Sequence, residues 1–244
     1  ALFTTYNGNL LFHGCIPFTE DGDFMEVTIA GKTNHWAGLM RQLDQELREV
    51  YFNPRCELDK ADAANLMWYL WLGPDSPLFG KDKMTTFERL FIADKSTHKE
   101  HTVPYYKLIK NKDICIKIIR DFDLDPSKGI ILNGHVPVKI KDGESPIKGE
   151  GKLIVIDGGI SKAYQKTTGI AGYTFIFNSW FMALSEHEPY HPLQPDGTQE
   201  FNNPNIVTTH TLPARMLIID TDIGKVLQSQ IDDLQQLNAE FRKG

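Results

Sequence analysis

"NGNLLFHGCIPF" spans Asn7 to Phe18, and its reading decides the fold. Leu10, Leu11 and Phe12 form the end of a buried strand. His13 stands at the carboxyl tip of that strand, Gly14 frees the backbone, and Pro17 stops any return to strand or helix. A polar ring at the mouth of an apolar strand is either a core histidine with its hydrogen bonds satisfied or a ligand.

The same setting occurs a second time. In "GIILNGHVPVK", Gly129 to Lys139, a buried strand leads through Asn133 and Gly134 to His135, with Pro137 close behind. Neutral imidazole is a common metal ligand, and glycine lets the backbone approach a metal or its bound oxyanion closely. One histidine at a strand tip is weak evidence for a ligand, and two in matching settings are better.

Outward from these two steps the chain alternates strands and helices, without internal repeats. Strands are expected at 10–13, 25–29, 129–133, 152–157, 173–177, 206–210 and 215–220, with 152–157 and 173–177 joined by a Gly-rich loop. Asn34 is expected to cap a helix carrying Trp36, Leu39, Met40, Leu43, Leu47, Val50 and Tyr51 on one face, ended by Asn53-Pro54. Residues 59–72 read as a second helix. Thr85 to Glu88 reads as a capping box opening a third, and Ile114, Ile118 and Phe122 mark a fourth. Asp222 caps a last helix with Ile223, Leu227, Ile231, Leu234, Leu237 and Phe241 on one face. No clean domain boundary shows. Residues 1–244 therefore read as one domain, the helix over 222–243 packing on it or on a partner.

Composition narrows the function classes. The chain has 244 residues, 41% of them hydrophobic, enough for a real core. A net charge of −6 with no basic block gives no footprint for nucleic acid. No apolar run reaches membrane-spanning length. Cys15, Cys56 and Cys115 match neither a disulfide framework nor a zinc ribbon, which favours a reducing cytoplasm.

Four further motifs compete and lose. "HEPYH", His187 to His191, has the letters of a zinc-protease helix, but Pro189 and Pro192 forbid the helix that would bring both rings to one face. The stretch is expected to be part of a long loop. "GGISKA", Gly158 to Ala163, resembles a nucleophile elbow around Ser161, but Ala163 replaces the last glycine and no clear helix follows. "GKT", Gly31 to Thr33, lacks the first glycine of a phosphate loop, since Glu26 occupies that place. "HKEH", His98 to His101, sits among charges and reads as solvated surface.

"FHGCIP" resembles the first His-Gly step of the calcineurin-like metallophosphoesterases, and "NGHVPVK" resembles their later one. Together with "TTFERLFIADKSTHKE", "KGEGKLIVIDGGISKAYQKTTGIAGYT" and "TDIGKVLQSQIDDLQQL", in that order, they are similar to the class III fructose-1,6-bisphosphatases of bacteria. The resemblance implies an α/β fold, the second half of a calcineurin-like β-sandwich flanked by helices. It implies a manganese or similar divalent two-metal site with His13 and His135 as ligands of one metal. It also implies hydrolysis of a sugar bisphosphate in gluconeogenesis. Lys139, Lys162 and Tyr164 are candidates for gripping the substrate, and a homo-oligomer is compatible.

The D-x-H, G-D-x-x-D-R-G and G-N-H-D steps of that family are absent. The sequence, opening on Ala1 almost directly in a strand, therefore reads as the carboxy-terminal part of such an enzyme, inactive alone. An inactive sensor or scaffold of the same fold and a protein phosphatase are the alternatives.

Overall fold

In the computed structural model, the described residues are 2–29, 31–52, 60–159, 161–169, 172–187, 197 and 205–243, with the side chains of 60–63 and 162–164 excepted. They fall into two compact units, Ala1–Asp157 and Gly158–Gly244. The architecture is mixed α/β.

The first unit opens with β1 (Phe3–Tyr6) and β2 (Asn9–Phe12), an antiparallel hairpin. Its two-residue turn is Asn7-Gly8, both at positive φ (49° and 78°), the backbone such a turn needs to follow the strands' twist. A second hairpin joins β3 (Glu26–Ile29) to β4 (Lys32–His35). Five helices follow: α1 (Trp36–Phe52), α2 (Lys60–Leu72), α3 (Thr86–Phe91), α4 (Tyr105–Leu108) and α5 (Lys112–Asp121). The unit closes with β5 (Ile131–Asn133), β6 (Ile147–Lys148) and β7 (Leu153–Val155).

One sheet of order β1-β2-β5-β7-β6 organises this unit. β2, β5 and β7 run parallel at its centre, while β1 and β6 lie antiparallel on the two edges. Strands covered on both faces need unbroken apolar sequence, and every residue of β5 and β7 is buried. Leu10, Ile131 and Leu153 are fully buried, as are Trp36, Leu39 and Leu43 of α1 and Ile118 and Ile119 of α5. Register places Phe12 beside Asn133, and Asn133 beside Val155. Three strands thus end side by side, and ligands of open α/β sheets sit at such carboxyl ends.

Several local expectations are corrected. Asn34 lies within β4, and its side-chain amide donates to Gln42 Oε1 at 2.6 Å. The first turn of α1 is served instead by the carboxylate of Asp121, the last residue of α5, which accepts from the Ala37 N–H at 2.9 Å. The Thr85–Glu88 box does not form. Glu100 accepts from both the N–H and the hydroxyl of Thr85 (3.0 and 2.9 Å), so the capping hydroxyl is already committed. "GKT" forms part of the β3–β4 hairpin, with Gly31 at φ 74°.

The second unit contains α6 (Lys162–Thr168), β8 (Gly172–Phe177), β9 (Phe181–His187), β10 (Asn205–Thr211) and α7 (Asp222–Lys243). Its sheet is antiparallel, order β10-β9-β8. β8 pairs with β9, and the stretch expected as a Gly-rich loop ahead of β8 contains α6. A helix does follow Ser161. Ser161 has an ordinary φ of −58°, without the strain of a nucleophile elbow. The strand expected over 215–220 is replaced by a 3-10 turn at Ile218–Asp220, where the Asp220 carboxylate accepts from the Leu217 N–H at 2.8 Å. The apolar stripe of α7 is exposed, Leu234 and Leu237 by about two thirds. Among the described residues no helix is long and apolar enough to cross a membrane.

Candidate metal centre

The tip of β2 turns sharply after Phe12. A Cβ at Gly14 would lie 1.9 Å from the Pro77 carbonyl oxygen, so no larger residue fits there. The next residue, Cys15, donates its N–H to that same oxygen at 2.8 Å. The chain is thereby sewn to the segment 76–80, and His13 projects from the turn.

The tip of β5 turns just as tightly. The Val136 N–H donates to the Gly134 carbonyl at 2.9 Å around His135, whose φ is 70°. A γ-turn of this hand is rare, and a non-glycine residue held at positive φ costs of order 1–3 kcal/mol. Neighbouring contacts hold it in place. The Gly134 N–H donates to the His13 carbonyl at 3.1 Å, and His135 Nε2 bonds the Phe79 carbonyl at 3.1 Å.

These two turns bring His135 Nδ1 to 3.1 Å from His13 Nε2. A carbonyl only accepts, so His135 Nε2 carries the proton toward Phe79. In the neutral ring Nδ1 is then a lone pair. Burial pulls the His13 pKa down, the neighbouring His135 adds to that, and the Asp157 carboxylate opposes it. The balance favours neutral His13, the form that ligates.

The donor set fits a metal. Imidazole nitrogens are donors that divalent first-row metals accept. His135 also shows the outer hydrogen bond that orients ligating histidines. Among the described residues no group of three or more His, Cys, Asp or Glu is arranged for a metal.

The structure thus brings His13 and His135 together. Lys139 is exposed, and its backbone N–H donates to Glu144 Oε2 at 3.1 Å. Lys162 and Tyr164 belong to α6, with side chains outside the described residues. His187 closes β9 and does not lie in a loop; its Nε2 is 2.6 Å from Thr174 Oγ1. Residues 188–191, including His191, are outside the described residues. His101 pairs with Asp82, and His98 Nε2 meets the Ile92 carbonyl at 2.9 Å, both at the surface. Cys15 and Cys115 are free and buried, and Cys56 is outside the described residues.

Sequence reasoning passed over three participants. Asn133 was legible only as a polar residue ending an apolar run. The Phe79 carbonyl carries no sequence signal. Asp157 follows β7, the third strand tip, just ahead of Gly158-Gly159.

A sequence profile described as "Firmicute fructose-1,6-bisphosphatase" matches residues 1–243. The chain belongs to that family. It is 47% identical over 247 residues to the class 3 fructose-1,6-bisphosphatase of Clostridium botulinum strain 657, covering 100% of this chain and 37% of the relative. The enzyme of the same name from the Loch Maree strain is 48% identical at the same coverage, and that of Clostridium tetani strain Massachusetts is 47% identical over 246 residues. The chain therefore spans little more than a third of the length of the curated relatives it matches. No solved structure matches it.

Proposed function

We propose that His13 and His135 are ligands of one metal in a two-metal phosphatase centre of the calcineurin-like type. The whole protein, on this reading, hydrolyses fructose 1,6-bisphosphate to fructose 6-phosphate and phosphate, a cytoplasmic step of gluconeogenesis. The observation that carries the reading is the convergence of His13 Nε2 and His135 Nδ1 at 3.1 Å, on the tips of adjacent parallel strands. Membership of the family and the names of the relatives support the substrate.

Phosphate monoesters hydrolyse so slowly unaided that a catalyst must supply a very large stabilisation. A bound pair of divalent ions supplies a water of lowered pKa and a charge clamp for the phosphoryl oxygens. Manganese suits a mixed nitrogen and oxygen shell, the oxygens coming from parts of the protein beyond these residues. The work of this chain is positional. His13 Nε2 and His135 Nδ1 face each other at 3.1 Å, and the Phe79 carbonyl keeps the other His135 nitrogen, Nε2, as the donor. Gly134 keeps the approach open, since a Cβ there would stand 3.2 Å from His13 Nδ1. Lys139, Lys162 and Tyr164 are the side chains we assign to the phosphate that does not react, where positive charge and hydroxyl donors are needed.

The test is phosphate release by the full-length protein with Mn²⁺, from fructose 1,6-bisphosphate and from a phosphopeptide. Metal-dependent release from the sugar bisphosphate is expected. Preference for the phosphopeptide would make it a protein phosphatase, and no release from either would leave an inactive scaffold.

A further inference from the structure

Asn133 ends β5 and is only 2% exposed. Its Nδ2 lies 3.2 Å from the Phe12 carbonyl, 3.1 Å from that of His13 and 2.8 Å from that of Gly14. Its Oδ1 accepts from the hydroxyl of Tyr105 at 3.1 Å, and Tyr105 is itself fully buried. An amide nitrogen has two hydrogens, so three acceptors share them. Three carbonyl oxygens turned toward one point repel each other unless a donor stands between them. The Asn133 amide is that donor, and it lets β2 turn with these oxygens facing inward and His13 facing out.

The backbone repeats the grip. Gly134, next along, donates its N–H to the same His13 carbonyl at 3.1 Å, and His135 follows immediately. Side chain and main chain of one strand tip therefore hold the peptide of the other histidine. A second buried asparagine, Asn9, joins the same two strands at their opposite end, its Oδ1 accepting from the Ile130 N–H at 3.2 Å.

The geometry points to Asn133 as a positioning residue: it sets the spacing of the His13 and His135 rings, and through it the affinity of the centre, without touching ion or substrate. This rests on the reading of the two histidines as ligands. Asn9 ties the same strand pair by a single hydrogen bond at the end opposite the tips, so its variant reports the effect of losing a buried inter-strand amide away from the histidines.

The experiment compares full-length wild type with Asn133→Ala, Asn133→Asp, Asn9→Ala and His135→Ala. Asn133→Asp keeps the acceptor for Tyr105 and removes only the donors. Mn²⁺ affinity is measured by electron paramagnetic resonance of the free ion. Hydrogen exchange over residues 129–138 is followed by mass spectrometry on metal-free protein. Both Asn133 variants are expected to lose about 10–100-fold in Mn²⁺ affinity, as outer-shell losses do, and to exchange faster over 129–138. Asn9→Ala is expected to stay within about twofold of wild type in affinity. Asn133 variants that bind Mn²⁺ like Asn9→Ala would overturn the proposal. Equal binding by wild type and His135→Ala would instead sink the metal reading. The metal-free exchange would then decide positioning alone: faster exchange sustains it, and unchanged exchange ends it.

Discussion

His135 Nδ1 lies 3.1 Å from His13 Nε2, and the two rings meet edge to face with centroids 5.0 Å apart. The contact is a hydrogen bond between the rings, and His135 makes it from a backbone φ of 70°, a costly conformation for a non-glycine residue. Backbone strain of this kind clusters at functional sites.

Replacing His135 should therefore cost far more than replacing His187. In the full-length protein at saturating Mn²⁺, His135→Ala is expected to lower the rate of fructose 1,6-bisphosphate hydrolysis well beyond the 10–100-fold typical of outer-shell losses. His187, at the exposed end of β9 beside Thr174, should change the rate about twofold or less and stability within about 0.5 kcal/mol. Rates checked alongside circular dichroism make the comparison; equal losses would return attention to "HEPYH".

Gly14→Ala tests the seam between β2 and the segment 76–80. The added methyl would meet a backbone oxygen at 1.9 Å, which no rotamer change relieves. Destabilisation of at least about 1–3 kcal/mol is expected, the cost of overpacking. Urea unfolding gives the number, and a variant as stable as wild type would show that the seam is looser than it looks.

Glu100 ties the segment after Phe79 to α3. Lys81 at 2.6 Å and the Thr85 N–H at 3.0 Å hold its carboxylate pKa down at about 2, against an ordinary 4.5. Between those values the unfolded chain binds the extra proton. The stabilisation is therefore fully present above about pH 4.5 and is lost as pH falls toward 2. With Lys81 itself 42% exposed, solvent screening limits the effect to about 1 kcal/mol. Glu100→Gln should lower the urea midpoint at pH 7, and the gap to wild type should narrow below pH 4.5. A gap that stays constant with pH would contradict the assignment.

What the sequence disclosed follows from what is local. His13 and His135 were legible because each carries its own signature of strand, glycine and proline within a few residues. The parallel strands β5 and β7 were legible from unbroken apolar runs. Asn133 was not, because its partners, the carbonyls of Phe12, His13 and Gly14, lie far back in the chain. Asn34 and Thr85 misled for a related reason: each has capping chemistry, but Asp121 and Glu100 reach the helix starts from elsewhere. The apolar run Met216 to Ile219 has strand letters, yet Asp220 folds back on Leu217 and makes a turn. β1 was missed although Asn7-Gly8, a strong hairpin signal, was in plain view.

The central claim is that one ion binds both imidazoles at once. Pulsed electron paramagnetic resonance on Mn²⁺-loaded full-length protein reads nitrogen couplings to the bound ion directly. The account predicts couplings from two histidine nitrogens, reduced to one in His13→Ala and to one in His135→Ala. A spectrum without histidine nitrogen coupling, or one that neither substitution alters, would contradict it.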